Sequence, residues 1–291
     1  MNRDDPADVP ARPGASGSAM AWAKINLTLH VTGQRDDGYH LLDSMVVRAG
    51  VGDQLQVTSS PGLTLTVSGP NAAGVPTDAQ NLVLKAAQWL DGGAGRGAAL
   101  HLTKHLPAAA GIGGGSADAA ATLELLTAHW GVACAHDPAQ LGADVPVCLA
   151  KGPQRMQGVG ELLTALPMLP ACHMVLVNPR IDVPTPAVFA ALTHKSNPPM
   201  PEGIPPFGTF MEFVDFLRTQ RNDLAAPAIA RAPVIAQCLE ALSEAQLARM
   251  SGSGATCFGL YETAEQAETA RARIAAAAPD WWVVAAPLLH A

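Results

Sequence analysis

Apolar and polar positions change rhythm several times along this chain. Across residues 21–31 (AWAKINLTLHV), Ile25, Leu27, Leu29 and Val31 alternate with the period of a strand that buries one face. Lys24 and Asn26 fall together on the other face. A turn-rich stretch, GQRDDGY at 33–39, follows, and residues 41–47 return as apolar strand material. Residues 54–57 and 63–67 alternate again, and Ser59-Ser60-Pro61-Gly62 between them predicts a hairpin. Helical spacing runs through 81–90, a short strand through 99–103, and the strongest helix of the first half through 116–130, closed by Gly131.

The second half has another texture. Residues 173–177 (HMVLV) read as a fully buried strand ending at Asn178-Pro179, and 185–192 as a helix with Pro186 early in it. Residues 195–208 (KSNPPMPEGIPPFG) predict an exposed proline-rich loop. Helices are expected over 211–218, 234–240 and 264–278; residues 247–250 lead into a small-residue loop at 251–254, and strands are expected over 255–261 and 281–285. Hairpins and helices followed by mixed strands and helices predict an α+β protein of two domains, 19–165 and 166–291, without internal repeats. Residues 1–18 are rich in Pro, Gly, Ala and Ser and predict a disordered tail. They lack the basic and apolar regions of a secretory signal.

Composition narrows the function. A chain of 291 residues that is 48% hydrophobic and 15% charged has ample material for a core. Its net charge of -7 argues against a nucleic-acid partner. No run of about 18 apolar residues predicts a membrane span. The five cysteines are scattered without a CxxC, as in a cytoplasmic protein with reduced thiols. Neither HExxH nor paired CxxC is present, so no protein-bound metal is expected; His101 and His105 are four apart but lie on strand-like sequence.

The richest local signal is LPAAAGIGGGSADAAATLELL at 106–126, with Gly111, Gly113, Gly114 and Gly115 ahead of a run of helix formers. A glycine loop feeding a helix N-terminus offers free backbone N–H groups and the positive end of a dipole, which suits phosphate. A P-loop would need GxxxxGK[ST], and no lysine follows these glycines. A dinucleotide fold needs GxGxxG with an acidic residue about 20 positions on at a strand end. Here Ser116 stands where the third glycine would be, and Asp137 lies in AHDPAQ.

The string from Pro107 to Asp118 closely resembles the phosphate-binding motif of the GHMP small-molecule kinases. Ala23-Lys24-Ile25-Asn26-Leu27 resembles the first motif of that family, and Met250 to Phe258 (MSGSGATCF) its third. The stretch from Ala23 to Leu41, Leu141-Gly-Ala-Asp-Val-Pro-Val147, Gly158-Val-Gly-Glu161 and Arg221-Asn-Asp-Leu224 are similar to the branch acting on CDP-methylerythritol. The resemblance covers roughly residues 20 to 262. It implies the two-domain GHMP kinase fold, with an N-terminal domain like ribosomal protein S5 domain 2 and a ferredoxin-like C-terminal domain. It also implies ATP as phosphate donor, with Mg²⁺ carried by ATP, in a monomer or homodimer.

By the same resemblance Lys24 and Asp144 form the catalytic pair. Taken alone they would read as a solvated strand residue and a turn or cap residue. Pro107, Ala108, Ala109, Ala110, Gly111, Ile112, Gly113, Gly114, Gly115, Ser116 and Ala117 would bind ATP, with Ser116 as the helix cap. Asn26, Tyr39, His40, Phe189, Ser251, Gly252, Ser253 and Gly254 would bind the acceptor, with Tyr39 stacked on a pyrimidine and Phe189 closing its opposite face. Asp118 falls in the first helical turn, as a structural residue or one that helps hold Mg²⁺. Many members have glycines at positions 109 and 110 and a second serine at 117, where this chain has alanine. A sister kinase for homoserine or mevalonate, or a non-catalytic nucleotide-binding protein on the same fold, remains an alternative.

Overall fold

The computed structural model describes Gly14, residues 16–108 and residues 110–290. Most of the expected tail, and Ala109 of the phosphate loop, lie outside the described residues. The first strand, β1 (Gly17–Asn26), begins inside the expected tail, where Gly17 and Ser18 pair with Val57 and Gln56. The single strand expected over 21–31 is two: β1 stops at Asn26, and β2 spans His30–Gln34. Leu27 and Leu29 between them are buried nonetheless, their N–H groups bonded to the carbonyls of Met45 and Arg221.

The two segments expected over 41–47 and 54–57 are one 19-residue strand, β3 (His40–Thr58). β1 and β2 pair antiparallel with it. The hairpin expected at 59–62 does not form. β4 (Leu63–Ser68) pairs in parallel with β5 (Ala98–Thr103), which inserts between β4 and β3. The alternation is correct, but pairing is decided by which strand buries the facing side chains, and β5 supplies Leu100 and Leu102.

Between β4 and β5 runs α1 (Leu82–Asp91), capped by the Asn81 side chain. α2 (Gly114–Trp130) follows the glycine loop and packs on β1, β3 and α1. Its alanines make it apolar on nearly every side, as befits a central helix. A short 3-10 turn (Pro138–Leu141) and α3 (Val145–Leu149) complete this layer, and β6 (Gln154–Gly158) with β7 (Leu162–Ala165) extends the sheet beside β3.

β8 (His173–Asn178) alternates between two cores: Met174 and Leu176 face one, Val175 and Val177 the other. That explains its unbroken apolar sequence. α4 (Thr185–Ala190) follows, then α5 (Phe210–Arg218), α6 (Ala225–Arg231) and α7 (Val234–Ala241). β9 (Leu247–Met250), β10 (Cys257–Tyr261), α8 (Ala264–Ala277) and β11 (Trp282–Leu289) close the chain. β11 pairs with both β8 and β3, so strands on either side of residue 165 belong to one 11-stranded sheet, and the fold is α+β.

The proline-rich segment 195–208 is not simply exposed. Met200 is buried, and its N–H donates to Asp43 Oδ2 at 2.8 Å. Arg155 grips both oxygens of Asp43 and donates to the carbonyls of Pro201 and Glu202. Among the described residues no helix is long and apolar enough to cross a membrane, and all five cysteines are free.

Candidate active site

The strand geometry of β1 puts Lys24 and Asn26 side by side on the wall of one cavity. Asp144 reaches the same cavity from the residue preceding α3. Lys24 Nζ donates to Asp144 Oδ2 at 2.8 Å, joining residues 120 apart in sequence. The lysine side chain is only 7% exposed and the aspartate side chain 36%. The ammonium is therefore fixed by the carboxylate, and the carboxylate keeps an open face toward the cavity.

The glycine loop lies against this pair. Lys24 N–H donates to the Ile112 carbonyl at 2.9 Å, and a Cβ on Gly113 would stand 3.2 Å from Lys24 Cβ. Gly111 and Gly113 have φ of 71° and 68°, the left-handed region that disfavours other residues. α2 starts at Gly114, two residues earlier than expected. Its N-cap is Gly113 rather than Ser116, and no side chain caps it. The N–H groups of Gly114, Gly115 and Ser116 thus lack intrahelical acceptors, and all three residues line the cavity. This uncapped, glycine-walled junction fits the phosphates of a nucleotide.

Pro107, Ala108, Ala110, Gly111 and Gly113 line the cavity as well. Ile112 and Ala117 do not; they are buried and anchor the loop to the core. Asp118 lies beyond the first helical turn and is buried against Lys104 at 2.8 Å. The expected first-turn position shifts because α2 begins at Gly114 rather than Ser116.

A second loop, 251–254, packs on the first. Thr256 Oγ1 donates to the Ala110 carbonyl at 2.6 Å, and Ser251 Oγ to that of Gly111 at 3.3 Å. Asn222 Nδ2 bonds the carbonyls of Met250 and Gly252, at 2.8 and 2.9 Å. Gly252 and Ser253 face the cavity, whereas Ser251 and Gly254 are buried beneath it. Ser251 Oγ accepts the Asn26 N–H at 3.0 Å. Asn26 Nδ2 bonds Ser44, leaving Asn26 Oδ1 buried without a partner among the described residues.

Tyr39 and His40 stand at the other end of the cavity, where the 33–39 turn meets β3. Tyr39 is 63% exposed. Phe189, from α4, stacks on the His40 ring with centroids 4.7 Å apart. The ring it touches is thus His40, where the sequence led us to expect it across a ligand from Tyr39. His40 Nε2 is buried and unpartnered among the described residues. Burial first, and the Lys195 ammonium second, hold the His40 imidazole below its ordinary pKa, so the ring is neutral at pH 7.

Lining residues that the sequence reading did not assign to the site include Lys104, Asp182, Thr185 and Lys195. Lys104 was readable in principle, three positions ahead of Pro107. Lys195 sits in the proline-rich segment and carries no local signal; there it donates to Gln34 at 3.2 Å. The cavity measures about 1290 Å³. That exceeds the roughly 300–1,000 Å³ of a site for one small ligand, and suits two substrates side by side.

The family models for the GHMP kinases N terminal domain and the GHMP kinases C terminal domain match residues 81–153 and 208–280. The chain is 58% identical to 4-diphosphocytidyl-2-C-methyl-D-erythritol kinase of Dinoroseobacter shibae, over 93% of this chain and 95% of that protein. It is 55% identical to the kinase of the same name from Paracoccus denitrificans, over 93% and 96%. A crystal structure of 4-(cytidine 5'-diphospho)-2C-methyl-D-erythritol kinase superposes with a TM-score of 0.76 at 31% identity, covering 94% of this chain and all of that one. A homoserine kinase from Cytophaga hutchinsonii shares the fold at 17% identity, with a TM-score of 0.69 over 100% of this chain and 97% of that one. The chain belongs to the GHMP kinases, enzymes that use ATP to phosphorylate a small molecule.

Proposed function

We propose that this enzyme transfers the γ-phosphate of ATP to the 2-hydroxyl of 4-diphosphocytidyl-2-C-methyl-D-erythritol, in the non-mevalonate route to isoprenoid precursors. The products are the 2-phosphate and ADP. The observation that carries this is the Lys24–Asp144 pair, set in one cavity with a phosphate cradle and with an aromatic and histidine cluster. The relatives that share most of the chain carry that activity in their names.

An alcohol is a weak nucleophile until it loses its proton. Asp144 accepts that proton as the oxygen bonds to the γ-phosphorus and the bond to ADP breaks, which contributes roughly 10²–10⁴-fold. Lys24 orients the carboxylate and stabilises charge on the transferring group. The free N–H groups of Gly114, Gly115 and Ser116, with the glycine loop ahead of them, hold the ATP phosphates. Mg²⁺ brought with ATP would supply charge neutralisation on the phosphates. Tyr39 stacks on the cytosine and neutral His40 hydrogen-bonds its polar edge, with Phe189 backing the His40 ring. Asn26, Gly252 and Ser253 contact the diphosphate and methylerythritol between these ends.

ADP release measured in parallel with CDP-methylerythritol, homoserine and mevalonate tests the assignment. Turnover with the first alone is expected. Turnover only with homoserine or mevalonate would reassign the acceptor, and none with any would leave a nucleotide-binding protein. Asp144→Asn should lower kcat by about 10²–10⁴-fold with ATP affinity nearly unchanged. Near-normal turnover of that variant would remove Asp144 from the mechanism.

A further inference from the structure

Beneath the phosphate loop lies a buried charge cluster that the proposed chemistry does not use. Lys104 Nζ donates to Asp118 Oδ2 at 2.8 Å and also to Asp53 Oδ2. Asp53 Oδ1 in turn accepts the N–H groups of His105 and Leu106, at 2.6 and 2.9 Å. Lys104, Asp53 and Asp118 are all buried. Lys104 and Asp118 also line the cavity, and Lys104 Nζ would be 3.8 Å from a Cβ on Gly114.

Position along the chain is the informative point. Lys104 to Leu106 lead into the glycine loop, and Asp118 lies just past it on α2. One ammonium therefore ties the two ends of the loop together, and Asp53 ties both to β3. Burying three charges is costly, and apolar residues of similar volume would hold a core at least as well. Two carboxyl groups against one ammonium also leave no net positive charge beside the phosphate site to attract ATP. Attraction does not explain the cluster; geometry does.

We propose that Lys104, Asp53 and Asp118 form a positioning network that clamps the two ends of the glycine loop and so fixes the spacing of the phosphate cradle. The network positions the loop and takes no part in bond making or breaking. It rests on the functional reading only in taking ATP as phosphate donor, and not on the identity of the acceptor.

The test is made on the full chain without acceptor. ADP affinity is measured by calorimetry, and amide exchange is followed over 110–117. Asp118→Ala should weaken ADP binding about tenfold and speed exchange in the loop. Asp118→Asn retains an oxygen that accepts from Lys104 and should restore affinity to within about threefold of wild type. A purely electrostatic role predicts equal effects from Asp118→Ala and Asp118→Asn, since both remove whatever charge the carboxyl carries, with ADP binding unchanged or tighter in each. Ile274→Ala, in the buried face of α8, serves as a control for general loss of stability. Unchanged or tighter ADP binding by Asp118→Ala would overturn the proposal. So would an equal loss of affinity in the Ile274→Ala control. If Asp118→Ala does not fold, Asp118→Glu takes its place: the charge stays but the span lengthens by one methylene. Wild-type affinity and exchange in a folded Asp118→Glu protein would likewise overturn it.

Discussion

Replacing Gly111 by alanine perturbs the point where the two loops of the site touch. Gly111 has φ of 71°. A Cβ there would stand 3.0 Å from the backbone carbon and nitrogen of Gly254, with the Gly254 oxygen nearer still. Carbon atoms pack best at about 3.5–4.0 Å, so one loop must move by several tenths of an ångström or more. Holding alanine in the left-handed region costs about 1–2 kcal/mol, and overpacking a tight contact about 1–3 kcal/mol. A total near 3 kcal/mol lowers Tm by about 5 °C for a chain of this size. The displacement also reaches the chemistry, because Ile112 is bonded to Lys24 N–H and Ala110 to Thr256. Misplacement of about 1 Å can cost 10²-fold in rate. Gly114→Ala is the matched comparison: it sits at the first helical position, with no atom closer than 3.8 Å to its new Cβ. Thermal denaturation of the two variants, with kcat/KM for ATP, checks both numbers. Equal Tm values for Gly111→Ala and Gly114→Ala would refute the packing account.

Other outcomes follow from the same geometry. The Asp118 carboxyl stands at about 7, since burial outweighs the opposing Lys104 ammonium and Asp53 adds to the rise. An acid raised in the folded state gives stability that is full below its ordinary value of 3.8 and is lost as pH rises through about 7. Tm of wild type should therefore fall between pH 5 and 8 more steeply than that of Asp118→Asn; parallel curves would contradict this. Tyr39→Ala should raise KM for CDP-methylerythritol about tenfold, a loss of about 1–3 kcal/mol of stacking, and leave KM for ATP in place. An unchanged acceptor KM would end the stacking role. Arg155→Met strands the buried Asp43 carboxylate and should cost about 3–5 kcal/mol in denaturant unfolding, with faster proteolysis within 195–208. A loss under about 1 kcal/mol would show that Asp43 finds other partners.

The sequence by itself determined what is set by neighbours along the chain. Periodicity placed α1, α2, α5, α7 and α8 to within a residue or two, because burial of one face repeats with the backbone's own geometry. Glycines and a following helix announced a phosphate cradle, since that site is built from backbone groups of one short segment. Tertiary structure alone decided the rest. The alternation at 63–67 is a property of the strand, but β5 takes the place beside β3 because pairing is chosen by facing side chains far away in sequence. The contact of Lys24 with Asp144 spans 120 residues, and Phe189 meets His40 from the other half of the chain. Lys195 enters the cavity with no local pattern to mark it, and nothing local joins Lys104 to Asp53 and Asp118. A lone charge in sequence has no direction; only packing shows whether it meets water, a carboxylate or a substrate.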